Sequence, residues 1–215
     1  MVLSSPTGFE KRLDIYPLLS NNGGQEPTDR SVDIVKGERF PMSKKETILQ
    51  AATRLFSAQG FERTSVRQIA EEIDLSVPGM FHHIPSKEEM LYEIMIGFMD
   101  EGYKRLMEIY DSPMSPIEKL EAVCQFYVQY YAGHKDQLTI LVSEGKSLLP
   151  KHRKSFIDKQ RVYVEALTRL FDDLARDGLL KQIDPAVLAF IFFGMVHWTY
   201  SWYDPRGEVE PEALG

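Results

Sequence analysis

The chain has 215 residues, 43% of them hydrophobic, a formal net charge of -7 at pH 7 and a single cysteine. That length buries one large core or two modest ones, and the lone Cys124 excludes both an intrachain disulfide and a cysteine zinc cluster. The acidic balance excludes a nucleic-acid binder that works by bulk positive charge, so any attraction to phosphate has to come from a local patch.

Residues 1–42 are rich in Gly, Pro, Ser and charge, as in NNGGQEPTDR. They read as a flexible N-terminal extension with at most a short helix near Phe9 to Leu19. Lys36 or Arg39 could let such an arm reach a groove, although a tail without a function is the plainer reading. No apolar run in the first twenty residues resembles a signal peptide, which points to the cytoplasm.

Regular structure is predicted to begin at Ser43, which with Glu46 forms a capping box. Ile48, Ala52, Leu55 and Phe56 recur at helical period, Gly60 stops the helix, and Phe61 is placed to fold back on it. Ser65 and Gln68 open a second helix, whose Val66, Ile69, Ala70 and Ile73 make one apolar stripe. Asp74, Leu75 and Ser76 form a tight turn. Ser76 then caps a third helix that carries Pro78 harmlessly in its first turn and is expected to end at Ile84, before Pro85. Ser86 and Glu89 open a longer fourth helix with Leu91, Ile94, Met95 and Phe98 on its buried side. Two short helices joined by a tight turn are the layout of a helix-turn-helix DNA reader. Its exposed turn is Ser76, Val77, Pro78 and Gly79, in which Val and Pro offer few donors to base edges.

Residues 43–92 resemble the N-terminal domain of the TetR family of one-component transcriptional repressors. FHHIPSKEEML is similar to that family's Tyr-Tyr-His-Phe-x-Ser-Lys-Glu-Glu-Leu signature, within a match of about fifty residues. The resemblance implies that Phe81 stands where a Tyr usually touches phosphate, and that His82 and Lys87 stand where the DNA backbone is commonly contacted. Phe81 lacks the hydroxyl. Asp74 replaces the usual turn Gly but tolerates a left-handed backbone, and Val77 replaces a frequent basic or polar residue. From Ser43 to Ile84 the basic Lys44, Lys45, Arg54, Arg63 and Arg67 only balance Glu46, Glu62, Glu71, Glu72 and Asp74. The expected phosphate patch is therefore Lys44, Lys45, Arg63, Arg67 and Lys87. Thr64, Ser65, Ser76, Val77, Pro78, Gly79, Phe81 and His82 complete the expected DNA-binding face, on a palindromic double-stranded operator.

Past Gly102 the pattern stays helical. Ser115 and Glu118 open a helix with Leu120, Cys124, Tyr127 and Tyr131 on one face, ended by Gly133. Another runs from about Pro150 to Gly178 with Tyr163, Leu167, Leu170 and Leu174, and Asp184 with Pro185 starts the last. The predicted fold is all-α: a three-helix helix-turn-helix domain over 43–90 joined to a helical ligand-binding and dimerisation domain over 91–215.

The last helix, AVLAFIFFGMVHWTYSWY, is apolar on nearly every side and reaches the lower length of a membrane span. His197, Thr199 and Ser201 interrupt it, and no basic cluster flanks it, so no membrane association is expected. A helix apolar all round is buried between its own domain and a second subunit, which fits the homodimer that the family resemblance implies.

HWTYSWYDPRG is similar to Asn-Trp-Thr-Tyr-x-Trp-Tyr-x-Pro-x-Gly, a C-terminal signature of TetR-type regulators that sense acyl-CoA thioesters, with His197 in place of Asn. That resemblance implies a small hydrophobic effector, an acyl-CoA, in an apolar cavity between helices. Expected ligand-binding residues are Phe126, Tyr127, Tyr130, Leu138, Leu141, Val142 and Trp202. Lys154 and Arg161, with Lys151 and Arg153 nearby, are the expected cations for a CoA headgroup.

No catalytic motif, metal site or cofactor is expected. His82 and His83 are adjacent and point about a hundred degrees apart on a helix, and the other histidines lack carboxylate partners in any motif. Two alternatives stay open: an efflux regulator responding to aromatic drugs, and a helical ligand-binding protein that no longer reads DNA.

Overall fold

A computed structural model describes residues 42–180, 183–198 and 201, and all the regular structure among them is helical. The expected extension over 1–42 therefore lies outside the described residues except for Met42, as do Trp202 and most of the C-terminal aromatic motif.

Helix α1 (Lys44–Gln59) starts at the anticipated reciprocal cap. The Glu46 N–H donates to the Ser43 hydroxyl at 3.2 Å and the Ser43 N–H donates to the Glu46 carboxylate at 2.8 Å. Gly60, at φ 87°, ends the helix in a backbone region closed to side chains with a Cβ. Phe61 can then turn back, edge-on to Phe56 at 5.2 Å. Helix α2 (Val66–Glu72) repeats the reciprocal cap through Ser65 and Gln68. It runs into Asp74 at φ 54°, the left-handed residue that the tight turn requires. Helix α3 (Val77–Phe81) is capped by the Ser76 hydroxyl, which accepts from the Gly79 N–H at 3.1 Å.

α3 is shorter than the sequence suggested, ending at Phe81 rather than Ile84. Pro85 disfavours helical backbone in the residue before it. The chain unwinds into a turn in which the N–H groups of His83 and Ile84 both donate to the Met80 carbonyl. Met80 and Ile84 still close the core over Ile48, Phe56, Ile69 and Ala70, all at most 1% exposed.

Helix α4 (Lys87–Tyr110) is 24 residues long, about 36 Å of helix. Met90, Leu91, Ile94, Met95 and Phe98 line its inner face. It contacts α1 and also packs on α5 (Pro116–Gly133), α6 (Lys135–Ser143) and α7 (Pro150–Arg176). A single 3-10 turn, Gly145–Ser147, joins α6 to α7. Gly102 lets α7 approach α4 closely, because a Cβ there would sit 2.5 Å from the Tyr163 hydroxyl oxygen and 3.4 Å from a Tyr130 ring carbon. That Tyr163 hydroxyl donates to the Met99 carbonyl.

Helix α8 (Pro185–His197) lies along α7, its Asp184 cap accepting from the Ala186 N–H at 2.8 Å. Ala189, Phe192 and Val196 are buried, whereas Val187, Phe190, Ile191, Met195 and Trp198 are 48–64% exposed. One side of this apolar helix is thus covered by its own chain and the other is open. No helix among the described residues is long and apolar enough to cross a membrane.

Candidate functional site

Two regions carry the polar and cavity-forming chemistry: the outer surface of α1–α3 and the space enclosed by α4–α8. On the first, side-chain bookkeeping decides which cations are available. Lys45 is held by Glu93 at 2.7 Å and Arg54 by Glu72 at 2.7 Å. Lys44 is exposed, and Arg67, with its side chain 83% exposed, is only loosely paired with Glu71 at 3.9 Å. Arg63 is exposed and spends its Nε on the Gln59 carbonyl, leaving the rest of the guanidinium to solvent.

Thr64 and Lys87 turn inward. Thr64 is 1% exposed, and its hydroxyl donates to the Gly60 carbonyl at 2.8 Å and accepts from the Gln59 amide. The Lys87 ammonium donates to the Phe61 and Thr64 carbonyls, both at 3.0 Å, and sits 4.1 Å above the Phe61 ring. Two of its three donors are thereby used to fasten α4 to the loop after α1. Ser65 is exposed, but its hydroxyl and backbone are committed to the Gln68 cap. On α3, Ser76, Pro78 and Phe81 are exposed, as are His82 and His83 just beyond it, while Val77 and Gly79 are half-buried.

Polar links tie this region to the helices behind it. The Ser57 hydroxyl on α1 donates to Asp136 on α6 at 2.7 Å. Just past the other end of α6, the Glu144 carboxylate accepts from the Phe61 N–H at 3.2 Å. A displacement of α6 therefore pulls on α1 and on its terminal loop together.

Behind α6 lies a cavity of about 620 Å³ bounded by all five rear helices. Phe98 and Met99 come from α4, Tyr130 and Tyr131 from α5, and Leu141 from α6. α7 gives Ile157, Gln160, Arg161, Tyr163, Val164 and Glu165, and α8 gives Phe190, Phe193, Gly194 and His197. The Phe98 and Tyr130 rings stack at 4.8 Å, and the Tyr131 hydroxyl lies 3.1 Å from His197 Nε2. Burial pushes the Tyr130, Tyr131 and Tyr163 phenols up and holds His197 down to about 4. All four are neutral near pH 7, so the interior carries no charge. Arg161 and Glu165 bring charge only from exposed positions of α7.

A shallower groove of about 440 Å³ adjoins the cavity and shares Ile157 and Arg161 with it; Pro150, Arg153, Lys154 and Asp158 complete it. Asp158 accepts from Lys154 at 2.7 Å and lies 3.6 Å from Arg161, and the Lys154 hydrogen bond holds its carboxyl below the usual range. Arg153 is turned onto the Lys146 and Leu148 carbonyls, and Lys151 faces Glu89 at 3.5 Å. The Lys154 and Arg161 side chains are 82% and 72% exposed. Their pairs with Asp158 are weak enough for a phosphate to displace.

Of the expected ligand-binding residues, Tyr130, Leu141 and Arg161 line the cavity and Lys154 the groove beside it. Tyr127 and Leu138, at 1% and 0% exposed, belong to the core behind the wall. Phe126 packs on Tyr130 at 5.1 Å outside the lining, and Val142 is on the open surface. Sequence reasoning missed Phe98, Met99, Tyr163, Phe190, Phe193 and His197. A signal existed on α8, where Phe190, Phe193 and His197 fall at i, i+3 and i+7, one stripe of a helix otherwise read as uniformly apolar.

Comparison with known proteins adds two family matches. Residues 48–94 match bacterial regulatory proteins of the tetR family, and residues 113–215 match the tetracyclin repressor-like C-terminal domain. The HTH-type transcriptional repressor KstR2 of Mycobacterium tuberculosis is 26% identical over 179 residues, spanning 80% of this chain and 88% of the relative. Among solved structures, AibR in complex with isovaleryl coenzyme A and operator DNA is 31% identical with a TM-score of 0.74, covering 80% of this chain and 94% of that one. A TetR-family transcriptional regulator from Bordetella parapertussis 12822 is 28% identical with a TM-score of 0.71, covering 79% and 88%.

Proposed function

The chain belongs to the TetR family of bacterial transcriptional regulators, and from that premise we propose a homodimeric repressor that an acyl-CoA thioester releases from its operator. The observation that carries the effector is the junction at Ile157 and Arg161: these residues line both an uncharged, largely apolar cavity and the adjoining groove that bears Lys154. An acyl group suits the first and a phosphate-bearing headgroup the second. AibR, of similar fold, is known in complex with isovaleryl coenzyme A and operator DNA.

The open side of α8 supports the dimer, since large side chains such as Phe190, Met195 and Trp198, all above 60% exposed, form a patch of the kind that a second copy covers. Two-fold symmetry then presents two readers to a palindromic operator. Leu141 gives the effector a handle on α6, and the Asp136 and Glu144 links carry the motion to α1 and Phe61. Each tenfold release of DNA requires the effector to favour the DNA-free form by about 1.4 kcal/mol.

The test is a fluorescence-anisotropy titration of the labelled upstream region of the protein's own gene at two salt concentrations, with and without acyl-CoAs of increasing chain length. The expected result is a competitor-resistant complex, dissolved by one length class of thioester but not by its free acid. In the Lys154→Ala, Arg161→Ala variant, release should need at least tenfold more thioester. Unchanged release would discard the headgroup assignment and favour a free aromatic effector, which the ring-lined cavity also accommodates.

A further inference from the structure

The outward surface of α3 is poor in the groups that ordinarily read bases. Discrimination of guanine and adenine in the major groove rests on forked donors from Arg, Lys, Asn or Gln, and VPGMF contains none of them. Met80 is buried at 0% exposure, and the exposed Ser76 hydroxyl accepts from the Gly79 N–H, which leaves it a single O–H donor and no fork. Apart from that one hydroxyl, what remains outward is apolar: part of Val77, the Pro78 ring and Phe81, which is 38% exposed. His82 and His83 lie past the C-terminal end of α3, where a recognition helix leaves the bases and faces the backbone. Arg63 and Arg67 sit before and within α2, the helix that crosses the phosphates in this layout. An apolar surface has one base-specific partner in the major groove, the C5 methyl of thymine.

We propose that this protein reads its operator chiefly through thymine methyl groups packed against Val77, at the N-terminal end of α3, while its exposed cations hold the phosphates. The inference rests on the DNA-reading function proposed above and names the chemistry of that reading. It follows that contacted positions are T·A pairs, and that each methyl contributes about fourfold to affinity, the value of one buried methylene-sized group. A pair of symmetry-related thymines then contributes about fifteenfold.

The experiment starts with selection of binding sites by the full-length protein from a random-sequence duplex library. Each thymine of the selected half-site is then replaced by deoxyuridine, which pairs identically and lacks only the methyl. Affinities are measured for the wild type, Val77→Ala and Val77→Thr. At least one symmetric uracil pair should weaken the wild type about tenfold or more. The penalty should fall below about threefold in Val77→Ala and persist in Val77→Thr, which keeps one γ-methyl. A selected site without thymine at the most constrained positions would overturn the inference, as would one indifferent to uracil. A uracil penalty unchanged by Val77→Ala would equally remove Val77 as the reader. Val77 also packs on the core, and if the alanine variant does not fold, the uracil series on the wild type decides alone. If no sequence is enriched at all, the DNA-reading function falls and this inference with it, a failure distinct from a selected site that ignores the methyl.

Discussion

Acidification should weaken this fold through His197, and the sign and size follow from its setting. Burial in the cavity wall holds the imidazole down to about 4, against an ordinary value of 6.5. The folded state therefore refuses a proton that the unfolded chain accepts. Above about pH 6.5 both states hold a neutral ring and the full stability is present. As the pH falls through 6.5 toward 4 the unfolded chain gains protons first and stability is lost. The complete effect is of order 3 kcal/mol, and about 2 kcal/mol of it is spent between pH 7 and pH 4.5. Urea unfolding at pH 7.0, 5.5 and 4.5, at one fixed protein concentration because the stability of the proposed dimer would depend on it, measures the loss for the wild type and for His197→Asn. Other groups titrate alike in both proteins, so the difference between the two curves isolates this ring. The wild type should lose about 2 kcal/mol more than the variant across that range. Parallel curves would refute the reasoning, because they would mean that the ring is solvated or that its Tyr131 contact stabilises both charge states equally.

Three further outcomes separate packing from function. The Tyr127 hydroxyl is fully buried, makes no well-formed hydrogen bond and has the Tyr163 hydroxyl as its polar neighbour, so Tyr127→Phe should cost no more than about 1 kcal/mol in thermal or urea unfolding; a larger loss would show a strong bond between the two phenols. A Cβ added at Gly97 would have nothing within 4 Å of it, whereas one at Gly102 meets the Tyr163 oxygen at 2.5 Å. Gly97→Ala should therefore gain up to about 1 kcal/mol from helix propensity, and Gly102→Ala should lose about 1 kcal/mol or more by overpacking, read as shifts of opposite sign in Tm. Arg67→Ala should leave stability unchanged and reduce the salt slope of operator binding by about one per subunit. Lys87→Ala should do the reverse, costing about 1–3 kcal/mol of stability as the Thr64 carbonyl loses the Lys87 donor and the Phe61 carbonyl keeps only the Thr64 N–H, while the salt slope stays near that of the wild type.

Much of this architecture is legible because its signals are local. Capping at Ser43, Ser65, Ser76 and Ser86 involves residues three apart, and it fixes the starts of α1 to α4 to the residue. The left-handed Asp74 likewise follows from turn length and side-chain type. Less legible is whatever depends on a partner distant in sequence. Lys87 reads as a surface cation until Phe61 and Thr64 are placed beneath it, and Thr64 as a surface polar residue until the Gly60 carbonyl is seen above its hydroxyl. Tyr127 and Tyr130 are indistinguishable by composition, yet one turn of α5 puts the first in the core and the second on the cavity wall. The misjudged end of α3 is a local failure of a different kind: the sequence predicts a helix running to Ile84, next to Pro85, but it ends at Phe81, where the His83 and Ile84 N–H groups both turn to the Met80 carbonyl.

The charge balance that first argued against a DNA partner gains a different meaning once the pairs are assigned. Lys45, Arg54 and Lys87 are engaged within the protein, which leaves Lys44, Arg63 and Arg67 as the more open cations between Lys44 and Lys87, on a chain of net charge -7. Non-specific affinity scales with the number of phosphates neutralised, so one head with these few open cations should hold random DNA weakly. A pair of heads at fixed spacing multiplies the contribution of a matched site and does little for a mismatched one. In the proposed dimer, low basicity would move discrimination from the single reader to the geometry of the pair. It would also lower what the proposed effector must supply, since a modest change in the separation of the heads would remove the second head's contribution and leave a single head too weak to remain bound.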